Sequence, residues 1–181
     1  MKVIERALDG VLVIEHQVFS DSRGVFFEGF NAEKFAAITD LKVNFVQDNF
    51  STSKKNVLRG MHYQIPPKAQ GKLVRVVSGE VFDVVVDLRG SSRTFGQWFG
   101  CVLSDKNRRS VWIPPGFAHG FFVLSDCADF FYKTTDFYSP ENERCICWND
   151  PEIGIAWPNE REVILSDKDK LGESLRRATV F

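Results

Sequence analysis

Short runs rich in Val, Phe and Ile, broken by Gly, Pro, Asn or Asp, recur from the first residues to about Trp157, and helical periodicity is scarce. This pattern predicts an all-β chain. Leu73–Val77, a Ser-Gly-Glu break at 78–80, and Val81–Leu88 read as a hairpin turning at Gly79. The second of these strands barely alternates, because Val84, Val85 and Val86 stand in succession. Such a run predicts burial on both faces, as where two sheets pack or a strand lines a barrel wall. Helix signals are confined to two peripheral places: Asn31 caps a stretch through Ala32–Ile38, and Ser166 opens a segment ending near Arg177. Pro66-Pro67 and Pro114-Pro115 read as rigid turns, and no repeat, low-complexity tract or linker interrupts the chain. One domain over residues 1–181 is expected.

Composition narrows the partners. The 181 residues carry 23 Lys+Arg against 24 Asp+Glu, a formal charge of −1, which supplies no global field for a polyanion. No nucleic-acid or membrane partner is therefore expected, although a local basic pocket is compatible with the balance. A chain of this mass hides roughly 70% of its extended surface, enough for one well-filled core. The opening MKVIERALDGV carries charge where a signal peptide needs an apolar run, and no stretch approaches bilayer length, so a cytoplasmic location is expected. Cys101, Cys127, Cys145 and Cys147 include no C-x-x-C pair. Cys145 and Cys147 are spaced for one face of a strand, and reduced structural thiols are expected.

Candidate chemistry concentrates in three segments. In Val57–Gln64, His62 lies between Arg59 and the later Lys72, two donors for anionic oxygen near a titratable base. A lone His in a strand is more often structural, and these neighbours raise its standing. In Trp112–Gly120, Pro114, Gly116 and His119 form P-x-G-x-x-H, and the two segments together resemble the paired motifs of the cupin superfamily, a jelly roll. Where metal-binding cupins place H-x-H followed by Glu, this chain has His62-Tyr63-Gln64, with Lys72 in the stretch of the acidic ligand. Only His16 remains as a third imidazole, so no catalytic metal is expected. The third segment puts Tyr132 on a strand and Tyr138 just beyond it; a phenol usually fills a core and also delivers protons. Ser166 and Asp169 have capping-box spacing, which alone leaves Asp169 structural. No G-x-G-x-x-G follows a strand and no Tyr-x-x-x-Lys occurs, which disfavours nicotinamide-dependent epimerases.

From about Val11 to Asp169 the chain resembles the dTDP-4-dehydrorhamnose 3,5-epimerase family, a cupin-type jelly roll. The motifs fall in family order: Phe19-Ser-Asp-Ser-Arg-Gly24, Phe45-Val-Gln-Asp-Asn49, Leu58-Arg-Gly-Met-His-Tyr-Gln64, Gln70-Gly-Lys-Leu-Val-Arg75, Ile113–Gly120, Tyr132-Lys-Thr-Thr135 and Leu165-Ser-Asp-Lys-Asp169. The resemblance implies that His62 is a general base oriented by Asp169, Tyr132 the acid on the opposite face of the sugar, and Lys72 the stabiliser of an enolate. It implies that Arg23, Glu28, Gln47, Asp48, Asn49, Arg59, His119, Glu143 and Lys168 hold the nucleotide, diphosphate or sugar. Phe19, Phe26 and Tyr138 would be aromatic walls around the nucleotide. It further implies a dTDP-sugar substrate, no cofactor and a homodimer. Phe50 stands where many relatives carry His, and Met61 where Leu is commoner. Rival readings are a C-3 or C-5 mono-epimerase or ketoisomerase of the same fold, and a non-catalytic cupin that binds a sugar nucleotide.

The residue types suit the chemistry. Inverting a carbon next to a ketone needs a base, a store for enolate charge, and a proton from the other face. An imidazole titrates near cellular pH, and a carboxylate on its second nitrogen fixes the tautomer. Losing one preorganised donor to the enolate costs on the order of 3 kcal/mol of barrier lowering.

Overall fold

In a computed structural model that describes residues 1–181, the chain forms thirteen strands and two helices. In order these are β1 (Lys2–Ala7), β2 (Val11–Glu15), β3 (Val18–Asp21), β4 (Gly24–Phe27), α1 (Ala32–Thr39), β5 (Gln47–Lys54) and β6 (Leu58–Gln64). There follow β7 (Lys72–Ser78), β8 (Glu80–Asp87), β9 (Trp98–Ser104), β10 (Arg109–Ile113), β11 (Phe117–Val123), β12 (Cys127–Thr134), β13 (Glu143–Cys145) and α2 (Asp167–Lys170). One sheet has six strands in the order β1-β2-β10-β7-β12-β5, and a second has five in the order β13-β6-β11-β8-β9. Every pairing is antiparallel. The two sheets pack face to face as a cupin-type jelly roll, as the chain's resemblance implied.

The expected hairpin at Gly79 is not one. β7 pairs with β10 and β12, whereas β8 pairs with β11 and β9, so the chain crosses from one sheet to the other at this point. Gly79 has φ +81°, and a Cβ there would run into the Cys127 carbonyl. Only glycine permits so sharp a corner. Local sequence marked the turn correctly and could not say whether the strands flanking it pair with each other.

The valine run behaves as expected. Val85 belongs to the core between the sheets, with Val13, Val74, Phe121 and Phe130. Val84 and Val86 face the other way, into a second cluster with Leu58, Met61, Tyr63 and Ile153. That outer face is covered by the chain after β13, where Ile153, Ile155 and Trp157 are buried without being strand, contrary to the strand pattern read to about Trp157. β13 itself stops at Cys145, so Cys147 lies in the turn beyond it; all four cysteines are free thiols.

α1 begins as expected. The Asn31 side chain accepts a hydrogen bond from the Lys34 amide at 3.0 Å, satisfying one of the unpaired N–H groups of the first turn. Its Phe35 is 1% exposed and packs on Leu12, Ile14, Leu73 and Trp112 of the six-stranded sheet, a burial that contributes about 1.5–3 kcal/mol. The C-terminal helix is shorter than expected, ending at Lys170. Beyond it the backbone is drawn into other bonds: Cys147 N–H donates to Glu173 O at 2.7 Å, and Leu175 N–H to Asp150 Oδ2 at 2.7 Å. No helix is long and apolar enough to cross a membrane.

Candidate active site

A cavity of about 300 Å³ opens between the sheets, with Phe121 and Phe130 of the apolar core at its floor. β6 supplies two of its groups through a bulge. His62 stands opposite His119 on β11, and Arg59 opposite Phe121, so three steps on β6 match two on β11. Strict alternation would point residues three apart to opposite faces. The extra residue returns both Arg59 and His62 to the cavity, while Leu58 and Met61 face the outer cluster. Gly60 makes this possible: its φ is +140°, and a Cβ there would lie 2.6 Å from Gly120 Cα.

His62 Nε2 lies 2.6 Å from Oδ1 of Asp169, which is 3% exposed. The two atoms are in direct contact, although the ring N–H is not aimed straight at the carboxylate oxygen. Ser166 completes the carboxylate: its hydroxyl donates to Asp169 Oδ2 at 2.7 Å and accepts from the Asp169 amide at 3.2 Å. Burial alone would raise the Asp169 carboxyl, but His62 and Ser166 outweigh it and hold the group below its ordinary value. Asp169 is thus both the cap residue its spacing suggested and the partner of His62. α2, read as peripheral, is the element that delivers it.

A second imidazole–carboxylate pair lies alongside. His119 Nε2 is 2.8 Å from Asp83 Oδ2, both nearly fully buried. Burial lowers the His119 pKa against the opposing pull of Asp83, so this imidazole is neutral near pH 7. Lys72 reaches in from β7 and donates to the His62 carbonyl at 3.2 Å. Burial pushes its ammonium down to about 8, with Glu143 and Asp83 acting the other way.

From the same six-stranded sheet as Lys72, opposite β6 and β11, β12 contributes Tyr132 and β5 contributes Asn49 and Ser51. Burial, with Glu143 adding, raises the Tyr132 phenol, which is therefore protonated and able to donate near neutral pH. The Tyr138 hydroxyl donates to Glu143 Oε2 at 2.7 Å, and Glu143 also pairs with Lys168, the residue before Asp169. Arg59 Nε donates to Ser53 Oγ at 2.9 Å. Gln47 sits just behind the lining, donating to Asn49 Oδ1 at 2.9 Å and accepting from the Tyr138 amide at 3.0 Å.

The structure therefore gathers His62, Lys72, Tyr132, Asn49, Arg59, His119, Tyr138 and Glu143 around one cavity, with Asp169, Lys168 and Gln47 behind them. The remaining predicted residues stand elsewhere. Asp48 faces outward by strand alternation and pairs with Lys133 at 2.8 Å. Glu28 pairs with Lys34 at 2.9 Å. Phe19, Arg23 and Phe26 lie on the β3–β4 ribbon around a separate shallow depression, with Phe26 70% exposed. His16, the third imidazole, is a buried link between Ser110 Oγ and the Glu28 carbonyl.

Sequence reasoning missed Asp83, Ser53, Gln64 and Gln70. Asp83 carried a signal: an acid inside the otherwise apolar run Val81–Leu88 must find a partner when buried. Gln64, whose amide donates to Lys68 O and accepts from Ser139 N, carried none.

Comparison with known proteins places the chain in one family. The family model described as dTDP-4-dehydrorhamnose 3,5-epimerase matches residues 5–177. A dTDP-4-dehydrorhamnose 3,5-epimerase from Pseudomonas aeruginosa is 55% identical over 181 residues, covering 100% of this chain and 99% of that protein. One from Salmonella typhimurium is 54% identical over 178 residues, 98% of this chain and 97% of that protein. Among solved structures, a dTDP-6-deoxy-D-glucose-3,5-epimerase from Legionella pneumophila in complex with dTDP-4-keto-L-rhamnose superposes with a TM-score of 0.95. It is 49% identical, covering 98% of this chain and 94% of that one. Fold, motifs and likeness along nearly the whole length agree, and the chain belongs to the dTDP-4-dehydrorhamnose 3,5-epimerase family.

Proposed function

We infer that this chain is an isomerase converting dTDP-4-dehydro-6-deoxy-D-glucose to dTDP-4-dehydro-L-rhamnose by inversion at C-3 and C-5, a step of dTDP-L-rhamnose biosynthesis. The observation that supports it most directly is a basic and an acidic group projecting from opposite sheets into one cavity, His62 from β6 and Tyr132 from β12. A ketone at C-4 acidifies the protons on both neighbouring carbons. In this reading His62 Nδ1, the ring nitrogen without a protein partner, takes each proton, while Asp169 fixes the tautomer and stabilises the imidazolium. The Lys72 ammonium meets the enolate oxygen, and Tyr132 returns a proton from the other face. Arg59, Asn49, Gln47, His119, Glu143, Lys168 and Tyr138 orient the sugar nucleotide so that the reacting carbon meets the base.

The displaced ribbon has a place in the same reading. Phe19, Arg23 and Phe26 serve the nucleotide of a second copy of the chain, with Glu28 beside them, so that the working unit is a homodimer. Asp48 braces β12 through Lys133 rather than touching substrate. Residues 1–181 act as one epimerase domain in the cytoplasm.

Turnover of the dTDP-4-dehydro-6-deoxy sugar in deuterated buffer tests the reaction. Deuterium is expected at both C-3 and C-5 of the product. Label at one carbon alone would make the chain a mono-epimerase, and no label with intact nucleotide binding would make it a non-catalytic binder.

A further inference from the structure

We propose that His62 Nε2, Asp169 Oδ1 and Cys145 Sγ form an inhibitory site for Zn²⁺ or Cd²⁺, placed behind the base and reached from the Cys145 side of the cluster. The three ligand atoms lie within 4.8 Å of one another. Their convergence is built into the fold. Cys145 on β13 is the direct cross-strand partner of His62 on β6, so the two side chains share a face, and α2 lays Asp169 over both.

A second observation points to a ligand. Asp169 is 3% exposed, and its Oδ1 and the facing His62 Nε2 are buried without a well-aligned hydrogen-bond partner. They face each other at 2.6 Å, and a cation that displaces the Nε2 proton takes a lone pair from each. A second depression reaches Cys145 from the side of Arg144, Asp167, Leu171 and Glu173, and shares Glu143 with the substrate cavity. It brings solvent, and with it a metal ion, to the Cys145 side of the cluster.

Zn²⁺ takes imidazole nitrogen and carboxylate oxygen at about 2.0–2.2 Å and thiolate sulfur at about 2.3 Å, in a tetrahedron completed here by water. The 2.6 Å His62–Asp169 pair therefore opens to roughly 3.3 Å and the sulfur closes in. Binding converts the Cys145 thiol to thiolate, and its proton passes to solvent together with any proton on Nε2. Without metal the thiol is idle, because burial, with the Asp169 carboxylate adding, pushes it up to about 12.

The consequence for turnover rests on the reading of His62 as base. A cation fixed on Nε2 withdraws electron density from the ring, so Nδ1 no longer takes the substrate proton, while Arg59, Asn49 and Tyr138 still hold the nucleotide. Zinc should lower kcat and leave KM unchanged.

The test uses chelator-treated native protein and the metals alone. Cd²⁺ is expected to produce an ultraviolet thiolate-to-metal charge-transfer band that persists in Cys127→Ser, is lost in Cys145→Ser and is weakened in Asp169→Asn. Cys145→Ser should keep its basal activity and need at least roughly tenfold more Zn²⁺ for half-inhibition. A band that survives Cys145→Ser, equal zinc sensitivity of the two proteins, or zinc that raises KM alone would each overturn the site. A Cys145-dependent band without any fall in kcat would uphold the metal site and reject His62 as the base, so the two failures read differently.

Discussion

Asp169 shows how one carboxylate serves two demands. Its Oδ2 accepts from Ser166, closing the first turn of α2, and its Oδ1 faces His62 at 2.6 Å. The capping role was legible from spacing, because it is local; the pairing with His62 spans over a hundred residues of sequence and required the resemblance. Asp169→Asn keeps the shape and loses the charge, so the wrong imidazole tautomer and an unstabilised imidazolium should follow. Steady-state kinetics on this variant are expected to show kcat reduced roughly 10²–10⁴-fold with little change in KM. A mainly raised KM would instead make Asp169 a binding group. If Lys72 meets the enolate, it should set the alkaline limb of the pH profile. An ammonium is charged below its pKa, and burial lowers that of Lys72 to about 8. Enolate stabilisation should fade as pH rises through about 8, so kcat should decline there in the native protein. Lys72→Arg, charged throughout this range, should remove that limb even if its rate is lower.

At the scale of elements, glycines decide where the site groups point. Without the bulge at Gly60, Arg59 and His62 would face opposite sides of β6, and the cavity would lose one of them. Alternation read from the sequence alone places Arg59 and His62 on different faces, so their convergence was not legible from spacing. Gly79 carries the related lesson. The turn was marked by composition, yet sheet membership is decided by long-range pairing of β7 with β12 and of β8 with β11. By contrast, the double burial of Val84–Val86 and the Asn31 cap were readable, because each is written in neighbouring residues. Gly60→Ala forces a positive φ on a residue with a Cβ that would lie 2.6 Å from Gly120 Cα. Thermal or urea unfolding should show a loss of about 1–3 kcal/mol, accompanied by loss of turnover beyond what the unfolded fraction explains. A variant as stable and active as the parent would mean that the bulge is not what aims His62.

At the scale of the whole molecule, Phe19, Arg23 and Phe26 stand together away from the chain's own cavity. Phe19, Val25 and Phe26 are 54%, 53% and 70% exposed on the β3–β4 ribbon, which pairs with no other strand. Exposed aromatics clustered with an arginine commonly mark a surface that is covered in use. Arg23 is tied only to Asp21, two residues away, at 2.7 Å, and is free to exchange that exposed partner for phosphate oxygens. If two copies place these ribbons over each other's cavities, each site contains His62 of one copy and Arg23 of the other. The arrangement is testable by mixing. His62→Ala and Arg23→Ala should each be nearly inactive alone, the first through lost proton abstraction and the second through a raised KM. After unfolding and refolding together at equal amounts, half of the dimers are mixed, and each mixed dimer carries one site with both residues intact. Activity should return to about a quarter of the native level. If Arg23 served its own chain's cavity, every site in the mixture would lack one of the two residues, and mixing would restore nothing. A second check comes from the double variant, His62→Ala with Arg23→Ala, refolded in excess over the native chain. Under cross-copy sharing each mixed dimer has no site with both residues intact, so the native chain's activity should be titrated away; with each chain self-sufficient, every native protomer would keep its turnover.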